Sequence, residues 1–173
     1  LITVAHPDDE TIGMGGTIKK LSKNNEITLC VMSDGASAQY DDKKMIKVRQ
    51  DACKKAGKIL GISKFHFLNF PDMKLDSISH VEMNKELEKI IKKINPKILY
   101  STSYNDLNKD HQKVFESCSV ISRPISSKIK QFLCFEMGGR NKTPFNPNTY
   151  VDISKELSFK LKALNQYKTE INP

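Results

Sequence analysis

The chain has 173 residues, of which 38% are hydrophobic and 28% charged, and a net charge of +8. That length suits one domain with a substantial apolar core, and no apolar run approaches the roughly 20 residues that a bilayer span needs. The positive charge comes almost entirely from Lys, since Arg occurs only at positions 49, 123 and 140. The lysines fall in scattered pairs without interleaved aromatics, which reads as solvated helix faces, so no nucleic-acid partner is expected.

Short apolar runs alternate with longer amphipathic ones. Leu1–Ala5 reads as a strand and Thr11–Asn24 as a helix that opens at a Gly-rich turn. Glu26–Met32 is a second strand. Lys43–Leu60 carries apolar residues at 45, 46, 48, 52, 53, 56, 59 and 60, a helical period, and stops at Leu60-Gly61. Phe65–Asn69 is a third strand and Val81–Ile94 a helix closed by Asn95-Pro96. Lys97–Thr102 is the fourth strand, followed by a helix over Asp110–Ile121. Gln131–Glu136 is the fifth strand, Phe145–Tyr150 is irregular, and Ser154–Tyr167 is a last helix with Ser154 as its N-cap.

Strict β-α-β alternation predicts an α/β fold. The expected form is a Rossmann-like three-layer sandwich, with a mostly parallel sheet of about five strands in the order 3-2-1-4-5 and helices on both faces. The chain reads as one domain over 1–173. It opens on strand residues at Leu1 without Met and stops abruptly at "YKTEINP", as if trimmed at both termini. Cys30, Cys53, Cys118 and Cys134 form no C-x-x-C pair. Free thiols in apolar runs, with no secretory signal pattern, suit a reducing, cytoplasmic location.

The chemistry is concentrated after the first strand. "VAHPDDETIGMGG" places His6, Asp8, Asp9 and Glu10 within five positions. Crowded carboxylates cost stability unless a cation or a proton sits among them. In a 3-2-1-4-5 sheet, strands one and four meet at the topological switch point, where ligands bind beyond the strand carboxyl ends. "HPDDE" should then face "SYNDLNKDH", which brings His111 within reach of His6 and Asp9. Two histidines and one carboxylate, with a fourth position for water, form the ligand set of a catalytic zinc. Asp8, next to Asp9, is placed to act as general base. Spacing alone leaves a second reading open, in which "DDE" is a helix N-terminus favoured by the dipole and each histidine is a hydrogen-bonding residue. "GMGG" lacks the G-x-G-x-x-G spacing of a dinucleotide loop, and tight helix–sheet packing explains its glycines better.

These residues carry a resemblance. "VAHPDDETIGMGGTI" is similar to the signature of the LmbE-like or PIG-L family of zinc-dependent sugar N-deacetylases. The similarity continues through "SDG" at 33–35, Arg49 with Leu60-Gly61, "FPD" at 70–72, "DLNKDH" at 106–111, "SRP" at 122–124, "FE" at 135–136 and "NPNTYVDIS" at 146–154. The resemblance implies that His6, Asp9 and His111 hold Zn2+, or another divalent ion such as Fe2+, with Asp8 as general base. It further implies that Arg49 and Asp72 contact the sugar or its anionic substituent. Many relatives carry a His where this chain has Asn108, which can donate a hydrogen bond to an oxyanion but cannot deliver a proton. Asp110 is expected to orient His111. The usual Glu three residues after the helix Arg is Ala52 here.

The expectation is therefore a zinc-dependent hydrolase. It would remove the N-acetyl group from an N-acetylglucosamine-type amino sugar, a small-molecule substrate that is nucleotide- or lipid-linked, and release acetate. The alternatives are a metal hydrolase of another bond, such as a phosphoester or a non-sugar amide, and a non-catalytic sugar-binding domain. The sequence leaves the oligomeric state open.

Overall fold

The computed structural model describes residues 1–124, 127–139 and 141–171. In chain order its elements are β1 (Ile2–Val4), α1 (Asp9–Leu21), β2 (Thr28–Ser33), α2 (Lys44–Leu60), β3 (Lys64–Phe70) and α3 (His80–Ile94). Then come β4 (Ile98–Thr102), α4 (Lys109–Ile121), β5 (Gln131–Phe135), α5 (Leu157–Leu164) and α6 (Lys168–Ile171). A 3-10 turn, Leu75–Ser77, lies between β3 and α3. The strands form one parallel sheet in the order β3-β2-β1-β4-β5, the expected topology.

The central strands read as continuous apolar runs because both of their faces are covered. Leu29 and Val31 of β2 face one core with Met14 and Ile18 of α1, Cys53, Ala56 and Leu60 of α2, and Ala163. The alternate residues Cys30 and Met32 face a second core with Met83, Leu87, Ile90 and Ile91 of α3 and Val114 and Cys118 of α4. Side chains point to opposite faces at every step of a strand, so one run of six residues builds both layers. Fully buried side chains such as Leu29, Leu87 and Leu99 contribute about 1.5–3 kcal/mol each.

The glycines of α1 serve packing. A Cβ on Gly13 would lie 2.3 Å from the Phe135 ring, and one on Gly16 would lie 2.5 Å from Ile153. The helix is broken between them at Met14, whose φ of −141° is not helical. At the other end of the chain the expected helix over Ser154–Tyr167 is shorter, Leu157–Leu164, and the separate α6 follows it. Ser154 does not cap it: its N–H and hydroxyl both bond to the Asp152 carboxylate, at 2.9 and 2.6 Å. Asp152 thus offers that backbone a turn in place of a helix, and the helix begins at Leu157.

Candidate metal centre

Strand β1 ends at Val4 and α1 begins at Asp9, so Ala5, His6, Pro7 and Asp8 make the whole connection. Asp8 carries the cost, with φ 141° and ψ −27°, a conformation that a residue with a Cβ rarely adopts. Because β1 pairs with β4, the segment after β4 and the first turn of α4 lie directly across from this turn.

Three side chains converge there. His111 Nε2 lies 3.3 Å from His6 Nδ1 and 3.3 Å from Asp9 Oδ1. His6 Nδ1 lies 3.5 Å from Asp9 Oδ2. The same Asp9 oxygen accepts the backbone N–H groups of His6 at 2.8 Å and Ala5 at 3.2 Å, which pins the carboxylate to the turn. All three residues are at most 9% exposed.

Each imidazole turns its outer nitrogen to a carboxylate. His111 Nδ1 pairs with Asp106 Oδ2 at 2.8 Å. His6 Nε2 lies 3.2 Å from Asp110 Oδ2 and 3.4 Å from Asp72 Oδ1. Asp110 is fixed in turn by the Leu75 N–H, which donates to Oδ1 at 3.0 Å. The carboxylate on His111 is therefore Asp106, and the expectation that Asp110 orients His111 is corrected. Asp110 holds His6 because the first turn of α4 directs its side chain away from the one that follows it.

The arrangement suits a divalent cation. A metal bound at about 2.0–2.2 Å in tetrahedral geometry sets its ligand atoms about 3.3–3.6 Å apart. The two ring nitrogens and the Asp9 oxygens that face them, one to each ring, lie 3.3–3.5 Å apart, and ring nitrogens in such contact need a proton or a cation between them. Outer carboxylates that fix the tautomer and orientation of ligating histidines are the usual surroundings of such a site. Among the described residues a second group of side chains also converges, His6 with Asp72 and Asp110. It uses the outer nitrogen of the same ring.

The electrostatics carry the same imprint. Burial pulls His6 down, but its hydrogen bonds to Asp110 and Asp9 and the charges of Asp9 and Asp72 outweigh this and push it up to about 10. Burial likewise lowers His111, while Asp9 and Asp106 raise it to about 9. Burial would raise Asp9, yet the two histidines hold it well below the ordinary carboxylate range. Asp8 goes the other way. Burial and then the charge of Asp9 push it well up, opposed by the Arg49 guanidinium. Burial also raises Asp72.

Arg49 reaches this turn from α2 and is 4% exposed. Its Nη2 donates to the Pro7 carbonyl at 3.2 Å and to Asp8 Oδ2 at 3.4 Å. Its Nη1 pairs with Glu170 Oε1 at 2.9 Å. The structure therefore sets Arg49 behind Asp8. Asn108 is the N-cap of α4: its Oδ1 accepts the Asp110 N–H at 2.8 Å, and its Nδ2 points to Met73 Sδ at 3.7 Å.

Sequence reasoning gave no role to four residues of this neighbourhood. Asp106 was visible in "DLNKDH", but its spacing from His111 does not tell which carboxylate meets which ring. Glu10, wholly buried, accepts the Asp8 N–H at 3.2 Å, the Thr11 hydroxyl at 2.6 Å and the Tyr167 hydroxyl at 2.5 Å. Tyr167 and Glu170 come from the far end of the chain, and no local pattern announces them.

Known proteins resemble this chain over most of its length. It is 28% identical over 182 residues to the diacetylchitobiose deacetylase of Thermococcus kodakarensis, covering 95% of this chain and 67% of that protein. It is 30% identical over 175 residues to the uncharacterized deacetylase YaiS of Escherichia coli, covering 95% and 88%. Among solved structures, the N,N'-diacetylchitobiose deacetylase of Pyrococcus horikoshii superposes with a TM-score of 0.78 at 26% identity, over 98% of this chain and 69% of that one. The pattern of the PIG-L family, described as GlcNAc-PI de-N-acetylase, matches residues 1–121. With its His and Asp side chains gathered beyond β1 and β4, the chain belongs to the PIG-L family of N-deacetylases.

Proposed function

We propose that this protein removes the acetyl group from an N-acetylglucosamine-type amino sugar, using zinc held by His6 Nδ1, Asp9 and His111 Nε2. The observation that carries the reading is the pairing of inner and outer nitrogens. Both rings present one nitrogen to a common space beside Asp9, and both have the other nitrogen on a carboxylate. Relatives named as diacetylchitobiose deacetylases support the substrate class. The same donor set accommodates ferrous iron.

When bound, the cation supplies Lewis acidity toward a water and toward the amide carbonyl. The remaining work falls to side chains. Asp8 takes the proton from the attacking water, a task suited to a carboxylate whose proton affinity has been raised. It then returns that proton to the departing amine nitrogen as the C–N bond breaks, so that water and acetamide yield acetate and a free amine. Arg49 keeps Asp8 directed to this work, and Asp106 and Asp110 keep each ring in the tautomer that leaves its inner nitrogen available. Asn108 offers an N–H donor to the oxygen that gains charge, and Asp72, beside His6 Nε2, lines the sugar side.

The test pairs elemental analysis with acetate release from a panel of N-acetylglucosaminides, on wild type and on His111→Ala. The expected result is about one zinc per chain and acetate from wild type, with both lost in the variant. Metal-free wild type that cannot be loaded would remove the reading.

A further inference from the structure

Asp8 is the one residue of the turn in a costly backbone conformation, and two separate chains of contacts run from it to the same distant segment. The first starts at its backbone. The Asp8 N–H donates to Glu10 Oε2 at 3.2 Å, and Glu10 Oε1 accepts the Tyr167 hydroxyl at 2.5 Å. Glu10 is wholly buried and Tyr167 is 2% exposed, so this link is not traded with water. The second starts at its side chain. Asp8 Oδ2 accepts from Arg49 Nη2, and Arg49 Nη1 pairs with Glu170 Oε1. Among the described residues the Arg49 Nε is buried without a hydrogen-bond partner, and the guanidinium is held at its two outer nitrogens. One is held by the Pro7–Asp8 turn and the other by Glu170. Neither route passes through His6, Asp9 or His111.

We infer that Tyr167 and Glu170 are positioning residues, which together lock Asp8 into the strained pose its catalytic role requires. A strained conformation persists only where its surroundings over-determine it, and here one turn of chain near the C-terminus supplies constraints on both the backbone and the carboxylate. The Tyr167 hydroxyl reaches Asp8 through Glu10 and the Glu170 carboxylate reaches it through Arg49, so the two links converge on one residue from different sides. Glu170 also relieves Arg49. Without it, a cation that is 4% exposed would rest wholly on Asp8 and the Pro7 carbonyl, drawing that turn toward α2.

This inference rests on the proposed role of Asp8, and the test separates the two. Tyr167→Phe keeps the buried ring and removes only the hydroxyl. Glu170→Gln keeps the shape and removes the charge. Three quantities are measured on the metal-loaded protein: metal affinity by competition with a chromogenic chelator, kcat and KM for acetate release, and the Asp8 geometry in crystals of each variant. The expected outcome is metal affinity and KM within about twofold of wild type. kcat should fall roughly tenfold to a hundredfold, as for a misplaced reacting group, with Asp8 leaving its positive φ or its Arg49 contact. A loss of metal affinity in step with kcat would mark the segment as a general structural support and overturn the inference. Wild-type kcat would overturn it, and so would an unmoved Asp8 in both variants. If metal-loaded wild type releases no acetate, the deacetylase reading fails, and the crystal geometry alone still decides whether the C-terminal turn holds Asp8.

Discussion

His6 and His111 illustrate how much a single proton position decides. A ring nitrogen is a ligand only when it lacks a proton, and the tautomer is set by what the other nitrogen meets. Asp106, at 2.8 Å from His111 Nδ1, keeps the proton on that side and leaves Nε2 for the cation. Asp106→Asn would keep the size and lose the charge, and metal affinity is expected to fall about 10- to 100-fold, read by chelator competition at pH 7. An unchanged affinity would show that the ring is oriented by packing alone. The meeting of His6, Asp9 and His111 was legible because strand order alone brings the ends of β1 and β4 together. The partner of each ring was not. Asp106 precedes α4 while Asp110 lies in its first turn, and which of them reaches a given ring depends on how the loop enters the helix. Arg49 shows the same gap. Its position on α2 was legible, but its burial against Glu170 depends on a residue more than a hundred positions away.

Helix α1 is the element on which the site depends most directly, since its first residue is a proposed ligand and its second anchors the Asp8 backbone. It must approach β5 on one side and the segment before α5 on another. Gly16 makes the second approach possible. A Cβ there would lie 2.7 Å from Ile153 Cβ as well as 2.5 Å from its Cδ1, so no change of rotamer relieves the overlap. Two effects oppose each other in Gly16→Ala. Helix propensity favours Ala by about 1 kcal/mol, while overpacking costs about 1–3 kcal/mol. The Cβ–Cβ clash decides for the second, and a net loss of about 1–2 kcal/mol is expected from denaturant unfolding. A stabilised variant would mean that the Ile153 segment yields freely. The "GMGG" stretch thus told correctly of close packing, and the alternation of runs was enough for sheet order because right-handed crossovers leave few alternatives. Ser154 does not serve as a cap because Asp152, two residues earlier, takes both its N–H and its hydroxyl, a local contest that residue preferences do not resolve.

At the scale of the whole molecule, the centre joins the two halves of the sheet at β1 and β4, and what occupies it affects the stability of the fold. Without a cation, protons on the two rings take its place. Both histidines are raised above their ordinary value, His6 to about 10 and His111 to about 9. A group whose proton is held more tightly in the folded than the unfolded chain stabilises the fold fully below its unfolded pKa, about 6.5 for His. That contribution is then lost as pH rises through the folded value. Losing those protons leaves Asp9, Asp72, Asp106 and Asp110 gathered around neutral rings, a set of buried like charges with nothing between them. The metal-free protein is therefore expected to be folded at pH 7 and to lose Tm progressively toward pH 10. Metal-loaded protein should hold its Tm across the same window, because the cation replaces the protons and does not titrate away. Loading at pH 7 must then release about two protons per chain, since the ligating nitrogens have to be neutral. Scanning calorimetry from pH 6 to 10 measures the first effect, and titration calorimetry in two buffers of different ionisation enthalpy counts the protons. A flat metal-free Tm together with negligible proton release would mean that the rings are already neutral in the empty site, and that the fold at the switch point does not depend on positive charge.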